Sequence, residues 1–450
     1  MLNARPVRGR FRRLRSIANA VLIAVLFAIP WVRIDGAPLV LLDIPERRFH
    51  VFGLVIFPQE LFFLWLIVIG LALALFFFTA LGGRLWCGWA CPQTVFTDVF
   101  AGVARRIQGW RGSTAPRRVA RWRKVATHAA FLAMSAVIAL HLVGYFHPID
   151  DMSSRIAGGR PLGTAGGFFA VFTALVYFDF AILRQTFCKY LCPYARFQSV
   201  LFDADTLVIG YDRLRGEPRG KRGVAAGDCV DCGLCVAVCP TGIDIREGMQ
   251  MECIACTQCI DACDGVMARI GRERGLIDYR SLVGLERLRP LRLVRPRVLA
   301  YGALLAVVVI GFGTLLAQRS PMELQVSRNR TQMTGSIADG RWSNAYTLYI
   351  TNRDVAPHRF EVSIEAPDHF ELLAGVNPIP VAATTHVETR VFVVAPSDAV
   401  AAGSLAMPIE FHLRRIGSDD RVLSRASTFV LSSGSRSRAP RAPGGIHAGH

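Results

Sequence analysis

The chain has 450 residues, 52% of them apolar, and its mean hydropathy is positive. That is several domains' worth of chain, and it is too oily for a soluble electron carrier. The formal net charge of +18 comes with no recognisable nucleic-acid-binding module, so the basic excess reads as a membrane-surface signal and nucleic acid is excluded as a partner.

In chain order, residues 1–15 hold Arg5, Arg8, Arg10, Arg12, Arg13 and Arg15 and lead into the apolar run Ser16–Trp31. That run is longer than a secretory h-region and has no clear A-x-A cleavage site, so it reads as a membrane anchor. Similar runs occur at Leu61–Leu81, Val125–Tyr145, Gly166–Leu183 and Val298–Ala317. Each approaches the ~20 residues that cross a bilayer. One such run could equally be a buried core helix; five with basic flanks predict an α-helical membrane bundle of five spans. The loop 82–124 is rich in arginine, whereas 34–60 and 146–165 are poor in basic residues and carry Asp35, Asp43, Glu46, Asp150 and Asp151. The positive-inside rule then puts the N-terminus and residues 187–297 in the cytoplasm, and the segment after the fifth span in the periplasm of a bacterial inner membrane.

Two short cysteine motifs form a repeat. Trp86-Cys87-Gly88-Trp89-Ala90-Cys91-Pro92 closes the second span and Phe187-Cys188-Lys189-Tyr190-Leu191-Cys192-Pro193 closes the fourth. The similarity continues with Phe96 against Phe197 and Val99 against Val200. Thiols at i and i+4 share a helix face. The proline disfavours helical geometry at the residue before it, so Cys91 and Cys192 are expected at helix ends. A duplicated membrane unit commonly places a shared site between its copies. Up to four soft thiolates would meet there and suit Cu(I), zinc or an iron–sulfur cluster. A disulfide cycle, or inert buried cysteines, are the other readings.

Two longer runs lie beyond them, Cys229-x2-Cys232-x2-Cys235-x3-Cys239 and Cys253-x2-Cys256-x2-Cys259-x3-Cys263. This rhythm is the bacterial-ferredoxin pattern for two [4Fe–4S] clusters, in which the fourth cysteine of each run ligates the other cluster. Cluster 1 would take Cys229, Cys232, Cys235 and Cys263; cluster 2 would take Cys253, Cys256, Cys259 and Cys239. Zinc usually uses C-x2-C pairs rather than a 2-2-3 run. All 12 cysteines fall on the predicted cytoplasmic side, where thiols stay reduced. The predicted layout is a membrane domain over 1–186 with the first C-x3-C-P motif, then a cytoplasmic segment over 187–296. That segment holds the second motif and a small α+β ferredoxin module near 225–270. A fifth helix over 297–318, a β-sandwich over 319–435 and a disordered basic tail over 436–450 complete it. The sandwich rests on alternation such as Tyr346-x-Leu348-x-Ile350, Phe360-x-Val362-x-Ile364, Val387–Val394 and Ile409-x-Phe411-x-Leu413, separated by turn residues. Histidines are few in the spans: His128 and His141 lie in the third and His147 at its outer end. No facing span offers a haem partner, and His141 with Met134 or Met152 is the minor alternative for a copper way-station.

Together these stretches, notably WCGWACPQTVFTD, CKYLCPYARFQSVLFD, CVDCGLCVAVCPTGIDIR and CIACTQCIDACD, resemble the FixG/RdxA/CcoG family of cytochrome c oxidase accessory proteins. The C-x3-C-P element alone is shared with NapH-type and NosR-like proteins. The resemblance implies a C-terminal immunoglobulin-like domain and a role in assembling the cbb3-type haem–copper oxidase. It also implies an oxidoreductase activity, reduction of Cu(II) to Cu(I), with copper met at Cys87, Cys91, Cys188 and Cys192. The implied partners are a cytoplasmic electron donor, copper, membrane lipid, and oxidase assembly factors or a copper-transporting ATPase. A quinol-linked electron-transfer subunit and a non-enzymatic assembly scaffold are the competing readings.

Overall fold

The computed structural model describes residues 4–34, 36–110, 116, 118–220, 227–281, 283–284, 294–329, 335–336, 341–367, 369–396, 406–417 and 422–430. The expected tail over 436–450 lies outside them. The chain divides into two compact units, Met1–Leu315 and Leu316–His450.

Among the described residues, four helices are long and apolar enough to cross a membrane: Pro58–Gly82, Arg121–Val143, Thr164–Leu183 and Pro296–Ala317. The second of the five expected runs shows why. Helix α2, as we number it after α1 (Arg10–Ala28), covers Leu61–Gly82 and exposes Trp65, Leu71 and Phe78. A helix apolar all round with bare aromatic side chains is stable only against lipid. The run Ser16–Trp31 differs from expectation. Its helix starts six residues early and stops at Ala28, before Pro30, so four arginines occupy its first turns and it does not meet the apolar-span criterion. Its ends nonetheless bracket the layer. Phe11 and Arg12 donate their backbone N–H groups to Asp261 near the cluster cysteines, while the Leu26 carbonyl accepts from Tyr145 at the far end of the third span. At 1.5 Å per residue its 19 residues reach about 28 Å.

The helices used below are α3 (Pro92–Gln108), α4 (Arg121–Val143), α5 (Thr164–Tyr177, continued by a wide-turn segment Phe178–Leu183), α6 (Pro193–Leu201), α7 (Gln258–Ile270) and α8 (Pro296–Ala317). Phe100 of α3, Phe131 of α4 and Phe180 after α5 form an aromatic core, with ring centroids 5.0 and 4.9 Å apart. On the loop before α2, a meander of β1 (Val40–Asp43), β2 (Arg48–Val51) and β3 (Leu54–Ile56) is not legible from its charge pattern.

The ferredoxin core is wider than its cysteine runs. Strands β4 (Leu207–Tyr211) and β5 (Ile277–Ser281) pair antiparallel and enclose α7, burying Ile209, Ile260, Met267 and Leu276 together. The second unit is a two-sheet sandwich. Its strands are β6 (Met322–Arg328), β7 (Trp342–Asn352), β8 (His358–Glu365), β9 (Glu371–Ala374), β10 (Ile379–Val381), β11 (His386–Ala395), β12 (Ala406–Arg415) and β13 (Val422–Val430). One sheet runs β9-β11-β7-β6, with the short strand Gly335–Ser336 against β7, and the other runs β10-β8-β12-β13. Tyr346, Leu348, Ile350, Phe360, Val362, Phe411 and Leu413 fill the space between the sheets, as alternation requires.

Candidate iron–sulfur and thiol sites

The two long cysteine runs fold alike. In each, the residues two and four places after the first cysteine take left-handed backbone: Asp231 (φ 52°) and Gly233 (φ 64°) in the first, Ala255 (φ 50°) and Thr257 (φ 64°) in the second. Left-handed residues next to right-handed ones make concave nests of N–H groups, which suit an anionic cluster. For Asp231, Ala255 and Thr257, none of them glycine, this geometry costs energy and is characteristic of functional loops.

The eight thiols of the two runs line two cavities. Cys229, Cys232, Cys235 and Cys263 line one cavity, walled by Tyr211, Val266 and Leu276. Cys239, Cys253, Cys256 and Cys259 line a second, walled by Ile209, Ile243 and Ile254, with Cys235 between the two. Burial pushes the Cys253 and Cys263 thiols up to about 12 and Cys235 to about 11, with neighbouring thiols adding to the rise at Cys253 and Cys263. Such thiols lose their protons to a bound cationic centre rather than to water. A tetrahedral zinc site with Zn–S bonds of about 2.3 Å holds its sulfurs about 3.8 Å apart. Among the described residues no three cysteines come within 4.8 Å of one another; only Glu365, Glu410 and His412 on the sandwich do. The 2-2-3 cysteine rhythm of each run is that of a [4Fe–4S] cluster rather than of a zinc site.

The short motifs cap their helices as the prolines require. Cys91 (φ −63°, ψ 123°) and Cys192 (φ −71°, ψ 112°) are extended N-caps, and Pro92 and Pro193 open α3 and α6. The two copies are not identical. Cys87 sits in a short α-helix, Leu85–Trp89, whereas Cys188 sits in a wide-turn segment, Phe187–Leu191. The i, i+4 helix-face expectation therefore holds for neither pair in full, because the second cysteine has already left the helix.

Each copy is completed by the other. Arg84, before the first pair, donates to the Ala195 carbonyl after the second at 2.9 Å. Gln93, after the first, donates to Asp179 at 3.0 Å and to the Arg184 carbonyl at 3.2 Å, before the second. Gln198, fully buried on α6, places its amide 3.5 Å from Cys87 Sγ. Sequence reasoning missed Gln198; its repeat counterpart is Thr97, so only the duplication itself points to the position. The thiols feel one another: burial, followed by Cys91, lifts Cys87 to about 11, and burial followed by Cys91, Cys192 and Cys87 lifts Cys188 to about 12.

This thiol group sits against the second cluster loop. Arg84 donates to the Cys253 carbonyl at 3.2 Å, and Lys189 to the Thr241 carbonyl, two residues past Cys239. Gly88 lies so close to the Ile254 and Ala255 carbonyls that a side chain there has no room. The histidine alternative fails. His141 Nδ1 meets the Val137 carbonyl at 2.8 Å, Nε2 faces Trp31 Nε1 at 3.3 Å, and the ring stacks on Phe27, which leaves no nitrogen for copper or haem.

Membrane-spanning helices, two thiol-lined cavities in a ferredoxin core and an immunoglobulin-like sandwich define a membrane-bound iron–sulfur electron-transfer protein. Family profiles agree: a 4Fe-4S dicluster domain matches residues 183–282, a 4Fe-4S binding domain 62–111, and the Ig-like fold at the C-terminus of FixG 312–432. The chain is 38% identical to protein RdxA of Cereibacter sphaeroides, over 87% of this chain and 88% of that one. It is 36% identical to the nitrogen fixation protein FixG of Rhizobium meliloti, over 79% and 78%. A ferredoxin-type protein NapH of Haemophilus influenzae is 26% identical over 44% of this chain and 66% of its own. The chain belongs to the FixG/RdxA family, and it carries two iron–sulfur clusters.

Proposed function

We propose that this protein reduces Cu(II) to Cu(I) at the bacterial inner membrane for assembly of a cbb3-type cytochrome c oxidase. The observation that carries this reading is the placement of four soft thiols beside the cluster loops: Gly88 packs on the Ile254 and Ala255 carbonyls, Arg84 donates to the Cys253 carbonyl, and Lys189 donates to the Thr241 carbonyl beyond Cys239. Bound at Cys229, Cys232, Cys235 and Cys263, and at Cys239, Cys253, Cys256 and Cys259, two [4Fe–4S] clusters supply one-electron carriage. The rest is the work of this chain's side chains. Each Cu(II) gains one electron, which comes ultimately from a cytoplasmic donor, and leaves as Cu(I). Cys87, Cys91, Cys188 and Cys192 are the soft donors that hold the ion. Each thiol that binds gives its proton to solvent, and sulfur favours the Cu(I) product. Gln198 and Arg84 fix the site by tying the two copies together. The N-terminus and cluster segment lie in the cytoplasm and the sandwich in the periplasm, where it docks oxidase assembly factors or a copper-transporting ATPase.

Anaerobically purified protein tests this directly. Iron, sulfide and copper are counted and Cu(II) reduction is followed with a Cu(I)-specific chelator after reduction of the clusters. Cupric reductase activity requires rapid, stoichiometric Cu(I) formation. Fully reduced clusters that ignore Cu(II) but reoxidise with a quinone would favour the quinol-linked alternative instead.

A further inference from the structure

Beside the thiol group, and distinct from it, lies a cavity of about 300 Å³ lined by α3, the N-terminal segment, the Ile182–Lys189 stretch and Pro240–Thr241. Its volume is at the lower end of small-molecule sites. Five cationic side chains line it, Arg12, Arg15, Arg105, Arg184 and Lys189, against a single carboxylate, Asp98. Asp98 is committed chiefly to Arg12, at 2.5 Å, and stands 3.9 Å from Arg15.

Arg15 is the informative residue. It is 2% exposed, its Nε donates to the Gly88 carbonyl at 2.7 Å, and its Nη1 has no partner. A buried guanidinium donor left unmade costs more than a surface one, and proteins keep such a group where a ligand completes it. Gln185 Oε1, also buried in this wall, is an unpartnered acceptor. Donors from several arginines and one acceptor match a phosphate that carries charged oxygens beside a hydroxyl. Burial also draws the Arg105 guanidinium below its usual range, with Asp98 opposing the fall and Arg12 adding to it.

We infer that this cavity binds a phosphate group, either the headgroup of an anionic lipid or a soluble phosphate ester, and that it adjoins the second cluster cavity through Thr241, which lines both. Phosphate binding there requires no electron transfer and is independent of copper reduction.

The test uses full-length holoprotein, stripped of lipid and placed in nanodiscs. In one arm the discs are phosphatidylcholine alone and are titrated calorimetrically with inorganic phosphate and glycerol 3-phosphate. In the other they contain phosphatidylglycerol, and retained lipid is counted by native mass spectrometry after ejection from the disc. Binding in the first arm assigns a soluble ester and binding in the second a headgroup. Arg15→Gln and Arg105→Gln should each weaken whichever binding is seen on the order of tenfold or more, with the iron–sulfur absorbance retained. Arg105 makes none of Arg15's structural bonds, so it decides the matter if Arg15→Gln misfolds. Absence of binding in both arms, or wild-type affinity in Arg105→Gln, overturns the inference.

Discussion

Gly88→Ala probes the joint between the thiol group and the second cluster loop. The residue is buried in the short helix Leu85–Trp89, and a Cβ built on it meets the Ala255 carbonyl and stands 2.7 Å from the Ile254 oxygen. Ordinary contact begins near 3.4 Å, so the loop and the helix must part by about 0.7 Å or more, and both obstacles are backbone. Alanine gains ~1 kcal/mol of helix propensity over glycine. Overpacking of this kind costs ~1–3 kcal/mol. The expected net effect is a destabilisation of up to about 2 kcal/mol, small enough for the protein to fold and load iron. The gap between Cys87 and Cys253 widens, and Cu(II) reduction should slow while the iron content holds. Denaturant unfolding of detergent-solubilised protein reads the first effect and single-turnover Cu(I) formation the second. If the variant matched wild type in both, the thiol group would not bear on the cluster loop as described.

Four further outcomes are expected. Cys239→Ser should bleach the cluster seated by Cys253, Cys256 and Cys259 and spare its neighbour, which EPR of the reduced protein separates by loss of spin coupling. The double variants Cys87→Ser/Cys91→Ser and Cys188→Ser/Cys192→Ser should keep the iron–sulfur spectrum and lose copper and its reduction; copper retained at wild-type stoichiometry would move the site elsewhere. Because burial holds the Cys87 and Cys188 thiols up near 11 and 12, both are protonated at neutral pH. Copper capture therefore releases protons, and Cu(I) affinity should rise by about tenfold per pH unit for each proton displaced between pH 6 and 8; a flat profile in competition titrations would contradict it. Reporter fusions after residues 110 and 270 should score cytoplasmic, and those after 165 and 340 periplasmic.

The parts of the molecule governed by short-range rules are legible in the sequence. Spacing alone groups the eight thiols, because the crossed pattern is a property of the repeat and both runs obey it down to the left-handed positions. Proline places Cys91 and Cys192 at helix starts through a local clash. Contacts made over long separations leave no such mark. Nothing in α6 announces that Gln198 reaches Cys87, or in α7 that Asp261 reaches the first helix. The start of α1 departs from the hydropathy pattern for a related reason. Hydropathy ends a span at its first charged residue, whereas Arg12 and Arg15 continue the helix because Asp98 and the Gly88 carbonyl meet their charge and donors. The strands β9 and β13 lack clean alternation, and their pairing is dictated by neighbours.

Helix α1 begins at Gly9, which has no side chain with which to cap it, and its first free N–H groups are taken by Asp261 at 3.1 and 2.7 Å, 250 and 249 residues further along the chain. Gly9 must be glycine for this, since a Cβ would occupy the space of the Asp261 carboxylate. The consequence concerns biogenesis. During synthesis the first helix to emerge stays unfinished until almost the last of the cysteine-bearing segment has left the ribosome and folded. Seating of the N-terminal anchor is thereby tied to maturation of a module that needs iron and sulfide. In iron-starved cells the unloaded chain should present a frayed amino end to the membrane proteases, so that iron supply sets the abundance of the protein.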